Sequence, residues 1–174
     1  MKKRIMAIAL VLVIAVSAVS AGTVKADLAI GAQNAGMKLN FKDNGSGSGL
    51  KSTIEAELNG TVDLIFDKNI GMNVLLGTDF KQEFKVGAGF LYMSNINQST
   101  VISASVGPYF VFGGGTKMGI YLTADFDFLV GKSFFVRVGT GMDFEFLQFG
   151  NGQNATSKIN IDIPLPRLAL GWKF

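Results

Sequence analysis

The feature that most limits what this chain can fold into is a hydrophobic period of two residues, sustained through one segment after another. Ile54, Ala56, Leu58, Gly60, Val62, Leu64 and Phe66 alternate with Glu55, Glu57, Asn59, Thr61, Asp63 and Ile65. Successive side chains of a strand point to opposite faces, so one face here is apolar along its whole length and the other almost wholly polar. The same period runs through Ile70 to Phe80, Phe84 to Tyr92, Ile102 to Phe112, Met118 to Phe128 and Phe134 to Phe146. A first strand lies within Asp27 to Phe41, and a last one ends the chain. Clusters of turn-forming residues separate them at Asp67-Lys68-Asn69, Asn95 to Gln98, Gly113 to Lys117, Val130 to Ser133 and Gly150 to Lys158.

This pattern predicts an all-β fold, an up-and-down antiparallel sheet of about eight strands. Two interruptions of parity stand out. One is at Asn34-Ala35-Gly36 in the first strand, where a bulge is expected. The other lies between Ile163 and Leu168, at Pro164 and Pro166, residues tolerated in sheets at bulges and edges. Many segments run 10 to 14 residues, whereas soluble strands average about 5 to 6 and membrane-crossing strands need about 9 to 11.

The aromatic residues follow the rims rather than the middles of the strands. With the first strand read as running outward, Phe41, Phe80, Phe84, Phe110, Phe112, Phe144 and Phe146 fall near one rim. Phe66, Tyr92, Phe128, Phe134, Trp172 and Phe174 fall near the other, and only Phe90 and Phe126 are central. All lie on the apolar face. A soluble sheet would bury such rings mid-strand, whereas a barrel in lipid carries them as girdles at its two interfaces. Mean hydropathy is +0.35, yet no apolar run beyond the N-terminal segment is long enough for a spanning helix. The hydropathy is instead spread over alternating strands.

The N-terminus has the three parts of an export signal. Lys2, Lys3 and Arg4 are basic, Ile5 to Val16 is apolar, and Ser17 to Gly22 is rich in small residues. The apolar run is shorter than the roughly 20 residues a spanning helix needs. Cleavage after Ala21 or after Ala26 fits the small-residue rule, giving a signal of residues 1–21, or as late as 26, and one barrel domain over 27–174. The formal charge of +3 and pI of 9.2 belong largely to this segment. Removing Lys2, Lys3, Arg4 and Lys25 from 16 basic residues leaves 12 against 13 acids, so nucleic-acid binding is not indicated. There is no Cys, which excludes a lipid-modified N-terminal Cys and a disulfide framework.

From Leu168 the chain alternates to its final aromatic, with Leu168, Leu170, Trp172 and Phe174 on one face. This ending resembles the closing strand of bacterial outer-membrane β-barrels. There the terminal Phe is thought to act as the assembly signal, so the resemblance assigns that role to Trp172 and Phe174. With the signal segment and the strand pattern, the whole chain resembles the small outer-membrane barrels of the OmpA, OmpX and OmpW kind. The resemblance implies a monomer in the outer membrane of a diderm bacterium. Its partners would be membrane lipid and, through the last strand, the barrel-assembly machinery.

The polar face carries Glu55, Glu57, Asp63, Asn73, Asp79, Lys85, Ser103, Ser105, Tyr109, Tyr121, Thr123, Asp125, Asp127, Arg137, Asp143, Glu145, Arg167 and Lys173, interleaved with glycines. In a barrel of about eight strands the interior is just wide enough for side chains to fill it. Opposite charges there are expected to pair, because an unpaired buried charge is costly. The charge network expected to line the lumen is Glu55, Glu57, Asp63, Lys85, Asp125, Asp127, Arg137, Asp143, Glu145 and Arg167. It would serve either as a structural plug or as a narrow, cation-favouring path.

Chemistry is narrowly bounded. Without His there is no Ser-His-acid triad and no His metal ligand. Glu55/Glu57 and Asp125/Asp127 place carboxylates side by side as a glycosidase would, but alternation on a polar face accounts for them. No enzyme activity, catalytic residue, cofactor or metal is expected. The reading is a structural or passive small-solute and ion-passage barrel. The alternatives are a surface interaction protein of adhesin or antigen type and a soluble lipocalin-like periplasmic barrel.

Overall fold

The computed structural model describes residues 24–33, 35–41, 49–53, 57–79, 83–113, 115–149 and 159–174. The described residues form eleven strands: β1 (Lys25–Gln33), β2 (Ala35–Phe41), β3 (Gly49–Thr53), β4 (Glu57–Ile65), β5 (Ile70–Asp79), β6 (Phe84–Asn97), β7 (Thr100–Phe112), β8 (Thr116–Val130), β9 (Phe134–Phe149), β10 (Ile159–Leu165) and β11 (Arg167–Lys173). β1 with β2, β3 with β4, and β10 with β11 are successive parts of single passes, the first two pairs with residues outside the description between their parts. The result is eight antiparallel passes. The ring closes where β11 pairs with β1 and β10 pairs with β2. The break at Pro166 falls where the sequence interrupts its parity; a proline has no N–H to give to a ladder.

The register explains the other expected irregularity. Followed once around the ring, it runs from Ala29 through Thr61, Leu75, Gly87, Tyr109, Gly119, Glu145 and Asn160 to Asn40, eleven residues along from Ala29. Such a stagger tilts the strands and lets the sheet close. Paired residues share a face, so an odd offset requires one interruption of the alternation. The break between Gln33 and Ala35 supplies it.

Alternation sorts the side chains cleanly on β7, whereas on β4 four successive residues, Thr61, Val62, Asp63 and Leu64, are all buried. Along β7, Val101, Ser103, Ser105, Gly107, Tyr109 and Val111 are buried, while Ala104, Val106, Pro108, Phe110 and Phe112 are exposed. Pro108 lies within a gap in the β6–β7 ladder between Gly87↔Tyr109 and Phe90↔Val106. Phe90, Tyr92, Phe110, Phe112, Phe126, Phe128, Phe144 and Trp172 are exposed on the outer face, and Phe66 and Phe174 are exposed at the rim. Phe110 stacks on Phe112, and Phe134 meets Trp172 edge-on with ring centroids 5.6 Å apart. Phe146 departs from expectation. A bulge opposite Met118 and Gly119 leaves it outside the ladder, and Leu147 takes its place across from Met118.

The interior is less uniformly polar than the sequence indicates. Leu75, Leu91, Met93, Val101, Val111 and Phe135 are also buried there. Large inward side chains fit because small ones face them. A Cβ on Gly171 would overlap the ring of Phe135, and one on Gly119 would meet the ring of Tyr109 at 2.6 Å.

Gly171→Ala should therefore destabilise the folded barrel by about 1–3 kcal/mol, the cost of overpacking a filled site. Gly60→Ala has only the Ala29 carbonyl oxygen within reach, at 3.9 Å, and should stay within about 0.5 kcal/mol. Urea unfolding in lipid vesicles, followed by gel mobility of the folded form, compares the two.

Candidate functional site

The inward residues meet in three tiers, and the middle one is built on Arg137. β8 and β9 pair Asp127 with Arg137, which sets the two side chains next to each other on the inner face. Arg137 donates from Nε and Nη2 to the two carboxylate oxygens of Asp127 at 2.7 and 2.8 Å. Nη2 also donates to Oδ2 of Asp63 on β4 at 2.7 Å, and Nη1 to Oγ1 of Thr61 at 3.0 Å. The other oxygen of Asp63 accepts from Asn73 Nδ2 at 2.5 Å, and the Tyr121 hydroxyl donates to Asn73 Oδ1 at 3.1 Å. Arg137 is 2% exposed and both aspartates 0%. At that burial the two-pronged, charge-assisted contacts of the guanidinium are what make ionised groups tolerable.

Above this centre, toward the loop end of the barrel, Arg167 Nη2 donates to both oxygens of Asp125, at 2.6 and 2.5 Å. Ser105 and Thr123 share a hydrogen bond at 2.6 Å. At the loop end itself Lys85 pairs directly with Asp143, and its Nζ lies 4.5 Å from the centroid of the Tyr109 ring. Lys117 donates to Glu83 Oε1 at 2.8 Å. Glu57, Asp79, Glu145 and Asp162 join these residues around a shallow cavity of about 70 Å³.

The tier at the end where the termini lie is largely apolar. Phe135 is fully buried between Ala29 and Ala169, and its ring takes Arg137 at 5.3 Å and Lys173 at 5.8 Å. Leu91, Met93 and Val101 form a buried cluster with Ile65 and Leu129 against them. Beneath lies a chamber of about 460 Å³, lined among others by Asp27, Ile65, Met93, Val101 and Lys173. This chamber and the loop-end cavity share no lining residue. Arg137, Asp63, Asp127, Tyr121 and Phe135, all at most 2% exposed, fill the level between them.

Of the residues expected to line the lumen, Asp63, Asp125, Asp127, Arg137 and Arg167 come together in the middle, while Glu57, Lys85, Asp143 and Glu145 gather at the loop end. Glu55 lies outside the described residues. Asp125 and Asp127 are held by different arginines, so their spacing reflects the alternation of β8. Trp172 is on the outer surface, and the Phe174 backbone N–H donates to the Ala26 carbonyl at 2.8 Å. Among the described residues no three acidic side chains gather as a metal would require. Sequence reasoning missed Asp27 and Phe135, and it set Thr61 on the polar face without assigning it to the charge network. It also placed Lys117 in a turn, whereas Lys117 stands in β8. The parity of Ala29 and Gly31 could have identified Asp27 as inward-facing; that of Arg137 gave the same mark for Phe135, whose apolar character kept it off a face read as polar.

No family model matches the sequence, and no curated protein is recognisably similar to it. The fold does match solved structures. Neisserial surface protein A is 12% identical, with 86% of this chain and 97% of that one aligned at a TM-score of 0.55. The attachment invasion locus protein Ail of Yersinia pestis is 13% identical over 86% and 98% of the two chains, with a TM-score of 0.52. A de novo designed transmembrane β-barrel is 10% identical over 87% and 96%, at 0.55. At these identities the likeness is one of fold. The chain folds as an eight-stranded antiparallel barrel like the small outer-membrane barrels.

Arg137→Met strands two buried carboxylates and should cost about 3–5 kcal/mol of folding stability. Most of that loss should return when Asp63→Asn and Asp127→Asn are added. Lys117→Met removes a pair whose Glu83 side chain is 39% exposed and should cost no more than about 1 kcal/mol. Unfolding midpoints in one lipid composition provide the comparison.

Proposed function

We propose that this protein is an integral outer-membrane barrel whose lumen is closed and whose role in the envelope is structural. The observation that carries this reading is the Arg137 tier. A guanidinium tied to two carboxylates, with Tyr121 and Phe135 beside it, fills the level between the loop-end cavity and the chamber below. Passive passage needs an open column of water through that level. The exposed aromatic and aliphatic outer face supports lipid as the surrounding medium, because it forms an apolar band with rings toward the rims. The fold shared with outer-membrane proteins supports the same location.

The test is ion conductance of the chain refolded in lipid, with the folded fraction verified by heat-modifiable mobility. The native chain should remain silent in a planar bilayer, and Arg137→Ala combined with Phe135→Ala should give steps. Steady steps from the native chain would overturn the closed-lumen reading. Monodisperse native protein in buffer without detergent would overturn the membrane reading.

A second reading, a surface interaction protein, is favoured by unequal strand lengths. β8 and β9 have 15 and 16 residues against 10 in β5, more than the roughly 9–11 a tilted crossing needs. Thr116 pairs with Phe149 at the loop end of these strands, and there the extra length carries one side of the wall past the rim. Shortening β8 and β9 at that end should abolish whole-cell adhesion conferred by the native protein while leaving the barrel folded. Unchanged adhesion would sink this reading.

A further inference from the structure

The two arginines that face the lumen differ at one nitrogen. Arg137 donates from Nε to Asp127 at 2.7 Å. Arg167 makes its two bonds to Asp125 from Nη2, and its Nε is buried without a hydrogen-bond partner. Arg167 is 6% exposed. A guanidinium N–H left unsatisfied at that burial is costly, and such a group in a folded protein usually has a solvent molecule or an ion to meet it.

Arg167 also lines a cavity of about 20 Å³. The cavity follows from the break in the wall at Pro166. β9 pairs with β10 as far as Asp143 and with β11 from Gly139, and the cavity is lined by Thr140, Gly141 and Met142, which lie between those points. Glu57, Asn59, Thr123 and Asp143 bring oxygen acceptors to its walls. Lys85 engages Oδ2 of Asp143, which leaves Oδ1 to accept. A buried water needs a volume of about 10–15 Å³ and two to four polar partners. This cavity meets both conditions and has room for little more.

We infer that this cavity is a binding site for a single water molecule, which accepts from Arg167 Nε and donates to the Asp143 carboxylate and a second wall oxygen. The water joins the Arg167–Asp125 pair in the middle of the barrel to the Lys85–Asp143 pair at the loop end. A small anion is the other acceptor of this size, but the carboxylates of Glu57, Asp125 and Asp143 stand around the site and repel it. The cavity shares Glu57, Lys85 and Asp143 with the loop-end cavity, and no described residue with the chamber at the other end. Hydration therefore reaches Arg167 from the loop end and stops at the level of Arg137. This boundary deepens the closed-lumen reading and rests on it.

The test uses the small number of arginines. Arg4, Arg137 and Arg167 are the arginines of the chain, so protein without residues 1–21, ¹⁵N-labelled at arginine and refolded in lipid nanodiscs, gives two Nε–H signals. Arg167 Nε–H should show a dipolar cross-peak at the water frequency in a rotating-frame experiment, and Arg137 Nε–H should show none. Thr123→Val removes a wall hydroxyl whose own exchange with solvent imitates such a peak, and the Arg167 cross-peak should persist in it. Should that variant not fold, a crystal structure of the native barrel that resolves ordered solvent should place one oxygen about 2.7–3.2 Å from Arg167 Nε. A native Arg167 without a cross-peak, a peak lost with the Thr123 hydroxyl, or no solvent oxygen at Nε would overturn the water site. An Arg167 signal that shifts when chloride is replaced by bromide would put an anion there and overturn it as well. Cross-peaks at both arginines would overturn the boundary at Arg137, and with conductance steps from the native chain they would sink the closed-lumen reading too. A dry Arg167 in a chain silent in the bilayer defeats the water site alone.

Discussion

Arg137 is a cation placed where water does not reach, and much of the interior is arranged to make that possible. Its guanidinium needs carboxylates in two directions. Asp127 comes from the neighbouring strand, and Asp63 from across the barrel. Asp63 in turn needs Asn73, which the Tyr121 hydroxyl meets. A break in this set leaves an ionised group buried without a partner, which costs far more than the pair contributes in excess of an apolar filling. The network therefore specifies one arrangement of the strands as much as it stabilises it. A slip of one residue in register would turn each of these side chains out of the lumen.

The same constraint bears on function. A lumen held together by a fully engaged ion cluster has no spare volume at that level, and the aromatic rings beside it fill what remains. The free volume lies at the two ends, which are chemically unlike. The loop end is lined by acids and two lysines. The end bearing the termini is apolar in its walls, with charge confined to Asp27, Lys173 and the rim. An interior zoned in this way suits a closed wall element better than a continuous aqueous path.

Much of this was legible in the sequence because lipid imposes a strict code. Every wall residue faces either hydrocarbon or the lumen, so alternation fixed the facing of Asp63, Asp125, Asp127, Arg137 and Arg167 before any pairing was known. The parity faults at Asn34 and at Pro164 to Pro166 marked the breaks between β1 and β2 and between β10 and β11. The choice of partners was not legible. Arg137 and Asp63 are 74 positions apart, and only strand order and stagger bring them together. The apolar inner residues Phe135, Leu91 and Val101 have the inward parity of their strands, but their apolar character kept them off a face read as polar. Their placement depends on facing small residues such as Gly171. The bulge at Phe146 has a mark in the sequence, the adjacent apolar pair Phe146-Leu147 after which Leu147 and Phe149 take the opposite parity, but the reading carried the strand only to Phe146.

The most direct test of this account is the state of the Arg137 side chain in the folded barrel. With the mature chain selectively ¹⁵N-labelled at arginine and refolded in lipid nanodiscs, the Arg137 Nε–H signal should be single, shifted by its hydrogen bond to Asp127, and slow to exchange with deuterated water. A signal averaged by rotation and exchanging as fast as that of a solvated arginine would contradict it. The guanidinium would then be in open water, and the lumen would not be held shut by the cluster described.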